Sequence, residues 1–249
     1  MTTPTWLVAT PIAHRGLHDR ASGVIENTVS AAEAAIARGF PIECDVQLTR
    51  DDDAVVFHDF TLDRLTGETG PVAERSSGNL SEIAITGSAD DRIPTLARFL
   101  DRIAGRVPLV IEIKSRFDGD MRLTDRTCEI LRGYHGPFCV KSFDPSVIAH
   151  VRAIAPGILR GIVAESTHTH SGYDLLSGEQ KHALANLLHF EESQPQFLSW
   201  HVKDLPVAAP YLARLLGRLP VMAWTVRGPE DRARAERFAD QMVFEGFLP

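Results

Sequence analysis

Residues 26–51, ENTVSAAEAAIARGFPIECDVQLTRD, hold one complete helix-then-strand unit. In the first half, apolar residues recur at helical spacing, with Asn27 placed to cap the helix and Gly39 to end it. In the second half the chain turns apolar over residues 42–48, the length of a strand. The same unit recurs along the chain. Strands are predicted at 8–14, 42–48, 109–114, 138–143, 159–163, 197–202, 221–226 and 242–245. Amphipathic stretches lie between them. Pro94 and the pair Asp144-Pro145 mark two helix starts, and Gly105, Gly133 and Gly217 mark three ends.

Strand and helix alternating eight times in 249 residues predict a (β/α)8 TIM barrel, read as one domain over 1–249. The competing doubly wound sheet calls for a glycine-rich phosphate loop after strand 1. The sequence there, HRGLHDRASG (14–23), does not match G-x-G-x-x-G. After the eighth strand the last helix is expected to be missing or a mere turn. From Val55 to Ile93 the connection is too long to be structureless in a compact domain. Residues 60–93 are therefore predicted to form a small insertion after strand 2, above the barrel mouth where loops following strands build active sites.

Composition excludes several classes of function. The formal net charge of −7 gives the whole molecule no attraction to nucleic acid or an anionic membrane. No apolar stretch approaches a membrane span, and the insertion is polar, so no stable membrane association is expected. Cys44, Cys128 and Cys139 are an odd number without C-x-x-C spacing, which fits a reducing compartment. The first residues lack a basic stretch and carry Pro11, so they read as strand 1 and not as a signal peptide. A soluble, cytoplasmic protein is expected.

Against this apolar frame the polar residues inside strands stand out. Side chains on a strand alternate, so Glu43 and Asp45 share one side, and so do Glu112 and Lys114 in LVIEIKS. Facing the helix layer, these acids would be costly unless paired. Two readings stand. One is a buried ion-pair network, Lys114 with one acid and Arg15 with another. The other is a site for a hard divalent cation held by Glu43, Asp45 and Glu112, which also relieves the repulsion among three acids. His14 ends strand 1 and His58 follows the apolar run 54–57, so both belong near the mouth, where histidine suits proton transfer at neutral pH. Arg15 and Lys114 add phosphate-binding cations. Metal, two histidines and two cations describe phosphoryl transfer or phosphodiester hydrolysis better than sugar or acyl chemistry.

The ordered set AHRG (13–16), ENT (26–28), ECDVQLTRD (43–51), VVFHD (55–59), TLDRLTG (61–67), IPTL (93–96), LVIEIK (109–114), KSF (141–143) and AWTV (223–226) resembles the glycerophosphodiester phosphodiesterases. The resemblance covers nearly the whole chain. It implies a (β/α)8 barrel with an insertion after strand 2. It implies hydrolysis of small-molecule glycerophosphodiesters to sn-glycerol 3-phosphate and an alcohol, with one divalent cation, Mg²⁺ or Ca²⁺. Glu43, Asp45 and Glu112 match the metal ligands, and His14 and His58 the acid–base pair. Arg15 and Lys114 match the phosphate-contacting cations, Glu26-Asn27 the motif beside the site, and Trp224 the aromatic of the substrate wall. Arg227 stands where the family often has Asn, and Glu245 lies where a late Thr-Asp pair is usual. A lysophospholipase D-like or other phosphodiester-cleaving barrel, and a non-catalytic phosphodiester-binding barrel, are the alternative functions. His168 and His170 on the loop after strand 5 are read as pocket-lining or solvent-exposed residues.

Overall fold

The computed structural model describes residues 3–168 and 171–249. Its strands and helices alternate as a (β/α)8 TIM barrel, as predicted. Two compact units interleave along the chain. One comprises residues 13–114 and 121–138, and the other comprises the residues up to Ile12, 115–120 and 139–249.

The unit containing 13–114 is organised by β2 (Ile42–Leu48), which is parallel to β1 (Ile12–Ala13) and to β4 (Leu109–Ile113). The β2–β4 register sets Asp45 opposite Glu112. A further strand, β3 (Ala54–Val56), returns antiparallel to β2 with Val46 opposite Val56. No strand was predicted there. All three of its residues are buried, so it shows no period-2 alternation to read.

The helix Val29–Ala37 is capped by Thr28, whose hydroxyl accepts from Ala31 N, and not by Asn27. Asn27 takes a left-handed φ of 58° and sends its side chain elsewhere. Helix Leu96–Ile103 is likewise capped by Thr95, so Pro94 precedes the cap instead of opening the first turn. Its residues Leu96, Phe99, Leu100 and Ile103 form the buried stripe. The long connection after β3 folds around its own small core, in which Leu62, Leu65, Val72, Leu80 and Ile85 pack with Ile25, Phe57 and Ile93. Short bridges, Thr61 with Pro71 and Thr66 with Ile85, tie its turns together.

In the other unit five strands run parallel in order: β5 (Phe138–Ser142), β6 (Arg160–Ala164), β7 (Phe197–His201), β8 (Val221–Val226) and β9 (Gln241–Phe244). Asp144 caps the helix Pro145–Ile154 as predicted, with Pro145 in its first turn. The strand predicted at 8–14 is mostly absent. Residues Trp6–Ala9 form a helical turn that buries Leu7, and Pro11, which has no N–H for a ladder, separates it from the two residues of β1. The helix expected to stop at Gly217 runs through it, and Arg218 takes the left-handed terminating position. Among the described residues no helix is long and apolar enough to cross a membrane.

Candidate active site

The turn after β1 is shaped by Arg15 and Gly16, whose φ values are 56° and 82°. A Cβ at Gly16 would stand 2.8 Å from Ala31, so only glycine lets the turn lie on helix Val29–Ala37. That turn delivers Arg15 and His14 to β2. Arg15 N donates to Glu43 Oε2 at 3.1 Å, and His14 Nε2 lies 3.9 Å from the same oxygen.

The three strand acids meet as the alternation requires. Glu43, Asp45 and Glu112 are all buried, and each offers an oxygen within 4.8 Å of the others. Asp45 is held from several sides. Lys114 Nζ lies 2.7 Å from Oδ1, Arg15 Nε 3.4 Å from Oδ2, and Asn27 both donates to Oδ2 at 2.8 Å and accepts from Asp45 N at 3.1 Å. Lys114 also pairs with Glu112. Burial would raise the Asp45 carboxyl, but the charges of Lys114, His58 and Arg15 overcome it and hold it well below the usual carboxylate range. Burial likewise opposes the Lys114 charge, and Asp45 and Glu112 outweigh it, raising the ammonium above its ordinary value. Both sequence readings are thus present in one cluster: the acids are ion-paired, and they also form a candidate oxygen cage.

A second arm runs from His58. Its Nδ1 lies 2.6 Å from Asp59 Oδ1, and its carbonyl accepts from Gln47 Nε2 at 2.8 Å. Asp59 accepts from Arg64 Nε at 2.6 Å. Arg64 also donates to both oxygens of Glu26, at 2.8 and 3.0 Å, and Glu26 takes Arg15 Nη1 at 2.6 Å. Asp59, Arg64 and Gln47 were not predicted as site residues. Gln47 carries a signal in the sequence, since it lies two residues beyond Asp45 on the same side of β2.

Glu26 gives a prediction with a definite sign. Burial would raise its carboxyl, but Arg64 and Arg15 together lower it from 4.5 to about 2. A folded-state pKa below the unfolded one stabilises the fold fully above about pH 4.5, and that stability is lost as pH falls towards 2. Arg64, the largest lowering influence, is about two-fifths exposed, and solvent screening holds the contribution to about 1 kcal/mol. Urea unfolding of wild type and Glu26→Gln should therefore differ most near neutrality and converge in acid. A constant difference from pH 7 to pH 3 would contradict this.

The donor set fits a hard divalent cation: oxygen ligands only, in a cluster with surplus negative charge. Glu26, Glu43, Asp45, Glu112 and Asp59 formally outnumber Arg15, Lys114 and Arg64 by two charges. The Glycerophosphoryl diester phosphodiesterase family model matches residues 14–244. This chain belongs to that family. It is accordingly an enzyme, a phosphodiesterase.

YhdW of Bacillus subtilis (strain 168) is 30% identical to this family member over 188 residues, covering 72% of this chain and 73% of its own. A glycerophosphodiester phosphodiesterase of Caldanaerobacter subterraneus subsp. tengcongensis is 32% identical over 161 residues, 61% of this chain and 65% of its own. An Oleispira antarctica phosphodiesterase, solved in complex with the product sn-glycerol-3-phosphate, superposes with a TM-score of 0.76 at 21% identity, covering 96% of this chain and 93% of that one. That likeness shows the fold.

The remaining predicted residue, Trp224, belongs to the other unit. Its Nε1 donates to Ser199 O at 2.9 Å, and its ring meets Phe143 edge-on at 5.5 Å and His201 at 5.1 Å. Arg227 is tied to Glu245 at 2.5 Å, so that cation is engaged by the acid that departs from the family pattern. His168 Nε2 faces Lys181 O at 3.0 Å and its ring packs edge-on against Tyr173. His170 lies outside the described residues.

Proposed function

We propose that this protein hydrolyses small glycerophosphodiesters to sn-glycerol 3-phosphate and an alcohol, using one divalent cation, Mg²⁺ or Ca²⁺. The observation that carries the reading is the convergence of Glu43, Asp45 and Glu112 within 4.8 Å, with His14 beside Glu43. The product bound by the Oleispira phosphodiesterase is consistent with it.

In this reading Glu43, Asp45 and Glu112 hold the cation, which when bound supplies Lewis-acid polarisation of a phosphate oxygen. Arg15 and Lys114, already drawn to the acids, present fixed positive charge where charge develops on the phosphoryl oxygens. One of His14 and His58 takes the proton of the nucleophile, which is water, or the neighbouring glycerol hydroxyl with water then opening the cyclic phosphate, as the new O–P bond forms. The other gives a proton to the alcohol oxygen as its P–O bond breaks. Glu26 and Asn27 act through their neighbours: Asn27 fixes the Asp45 carboxylate, and Glu26 fixes the Arg15 guanidinium. Trp224 supplies an apolar wall for the substrate.

The test is release of glycerol 3-phosphate from glycerophosphocholine and glycerophosphoethanolamine by purified protein. It would be run with Mg²⁺, with Ca²⁺ and with EDTA. Release with a cation that EDTA abolishes is expected. Folded protein that releases nothing with either ion would overturn the substrate assignment and leave the family and fold untouched.

A further inference from the structure

Arg64 lies in the connection after β3, outside the acid cluster. Its guanidinium makes four hydrogen bonds to two carboxylates. Nε and Nη2 donate to Asp59 at 2.6 and 2.9 Å, and Nη1 and Nη2 donate to Glu26 at 3.0 and 2.8 Å. Each carboxylate then holds one candidate functional side chain: Asp59 holds His58 Nδ1, and Glu26 holds Arg15 Nη1. With Asp59 ionised, His58 Nδ1 carries the proton, which leaves Nε2 as the ring atom available for proton transfer.

The backbone under Arg64 is fixed independently. Leu62 and Leu65 on either side of it are buried in the insertion's core, and Thr66 bonds back to Leu62 O through both its amide and its hydroxyl. The side chain itself is about two-fifths exposed. An ion pair that open to solvent contributes little to stability, on the order of 0–1 kcal/mol. Four directed bonds to two carboxylates are, however, a geometric constraint that only a planar fork supplies. A lysine ammonium at the same place is a point charge and cannot hold both carboxylates in bidentate fashion.

We propose that Arg64 is a positioning residue that joins the two arms of the site, orienting His58 through Asp59 and Arg15 through Glu26. The insertion after strand 2 thereby becomes part of the catalytic apparatus without touching the reacting atoms. The proposal rests on the hydrolytic reading of the site, but one of its readouts does not.

Arg64→Ala and Arg64→Lys should each lose about 10- to 100-fold in kcat/KM, the range for residues that orient a primary group. The loss should show in both parameters: Asp59→Asn should act mainly on kcat, and Glu26→Gln mainly on KM. In kcat, Asp59→Asn combined with Arg64→Ala should be no worse than the poorer single variant, while its KM should match that of Arg64→Ala. Added guanidine at low millimolar concentration should restore part of the Arg64→Ala activity and none to wild type. Urea midpoints should stay close to wild type. Independently of substrate, the NMR signal of the His58 Nδ1 proton, assigned by its loss in His58→Gln, should be sharp in wild type and lost or broadened in Arg64→Ala.

Wild-type kinetics in Arg64→Ala, or fully multiplicative losses in the double variant, would overturn the positioning role. So would an unchanged His58 ring signal. If wild type itself turns over no glycerophosphodiester, the functional reading falls, and the ring signal alone still decides the role of Arg64.

Discussion

Asp45→Asn should lower turnover by on the order of 10³-fold and should destabilise the protein by about 3 kcal/mol. The substitution keeps the shape and removes one charge. Both carboxylate oxygens take donors in the native cluster, Oδ1 from Lys114 and Oδ2 from Asn27, with Arg15 nearby. Whichever way an asparagine amide is turned, its NH₂ group faces one of those donors across a buried contact. The sign of the stability effect follows from the carboxyl's position well below its ordinary range: the fold prefers the charged form, despite burial, over what the unfolded chain offers. Cation affinity should fall as well, since one of three converging oxygens is lost. Titration calorimetry with Mg²⁺ and Ca²⁺, beside urea unfolding with and without cation, separates the two effects. In wild type the cation should raise the unfolding midpoint by mass action, and in Asp45→Asn that gain should shrink or vanish. An unaltered cation affinity would remove Asp45 from the ligand set, whatever happened to the rate.

The sequence showed the acids plainly because burial and period conflict there. In β2 the alternate residues Ile42, Cys44 and Val46 are apolar and buried, so Glu43 and Asp45 had to share the other side. The bounds of β2 and β8 could be read to the residue because a proline, Pro41 or Pro220, precedes each and polar residues follow. What could not be read depended on contacts distant in the chain. Asn27 and Thr28 are both good caps by type. The choice between them is made by Asp45, eighteen residues on, which draws the Asn27 side chain away. The lateral pairing of Asp45 with Glu112 is a parallel register, fixed by no local turn. Arg64 sits inside the TLDRLTG motif, but its role is not legible there, because one of its partners is 38 residues away.

Replacing either histidine by alanine should cost about 10²- to 10⁴-fold in kcat, the usual worth of a positioned acid or base. Stability should change little at His58, since its side chain is about one-fifth exposed and, among the described residues, its ring is bonded through Nδ1 to Asp59. The two variants should then diverge when the leaving group is changed. An alkoxide such as that of choline needs a proton as it departs, whereas a nitrophenolate leaves without one. The variant lacking the general acid should therefore be severely impaired on glycerophosphocholine and nearly restored on a nitrophenyl phosphodiester. The variant lacking the base should be impaired on both by a similar factor, because deprotonation of the nucleophile does not depend on what leaves. One variant of each kind would assign the two roles directly. Equal losses on both substrates in both variants would mean that neither histidine protonates the leaving group. The acid would then have to be a group outside the pair, and the two-histidine mechanism would fall while the cation site remained.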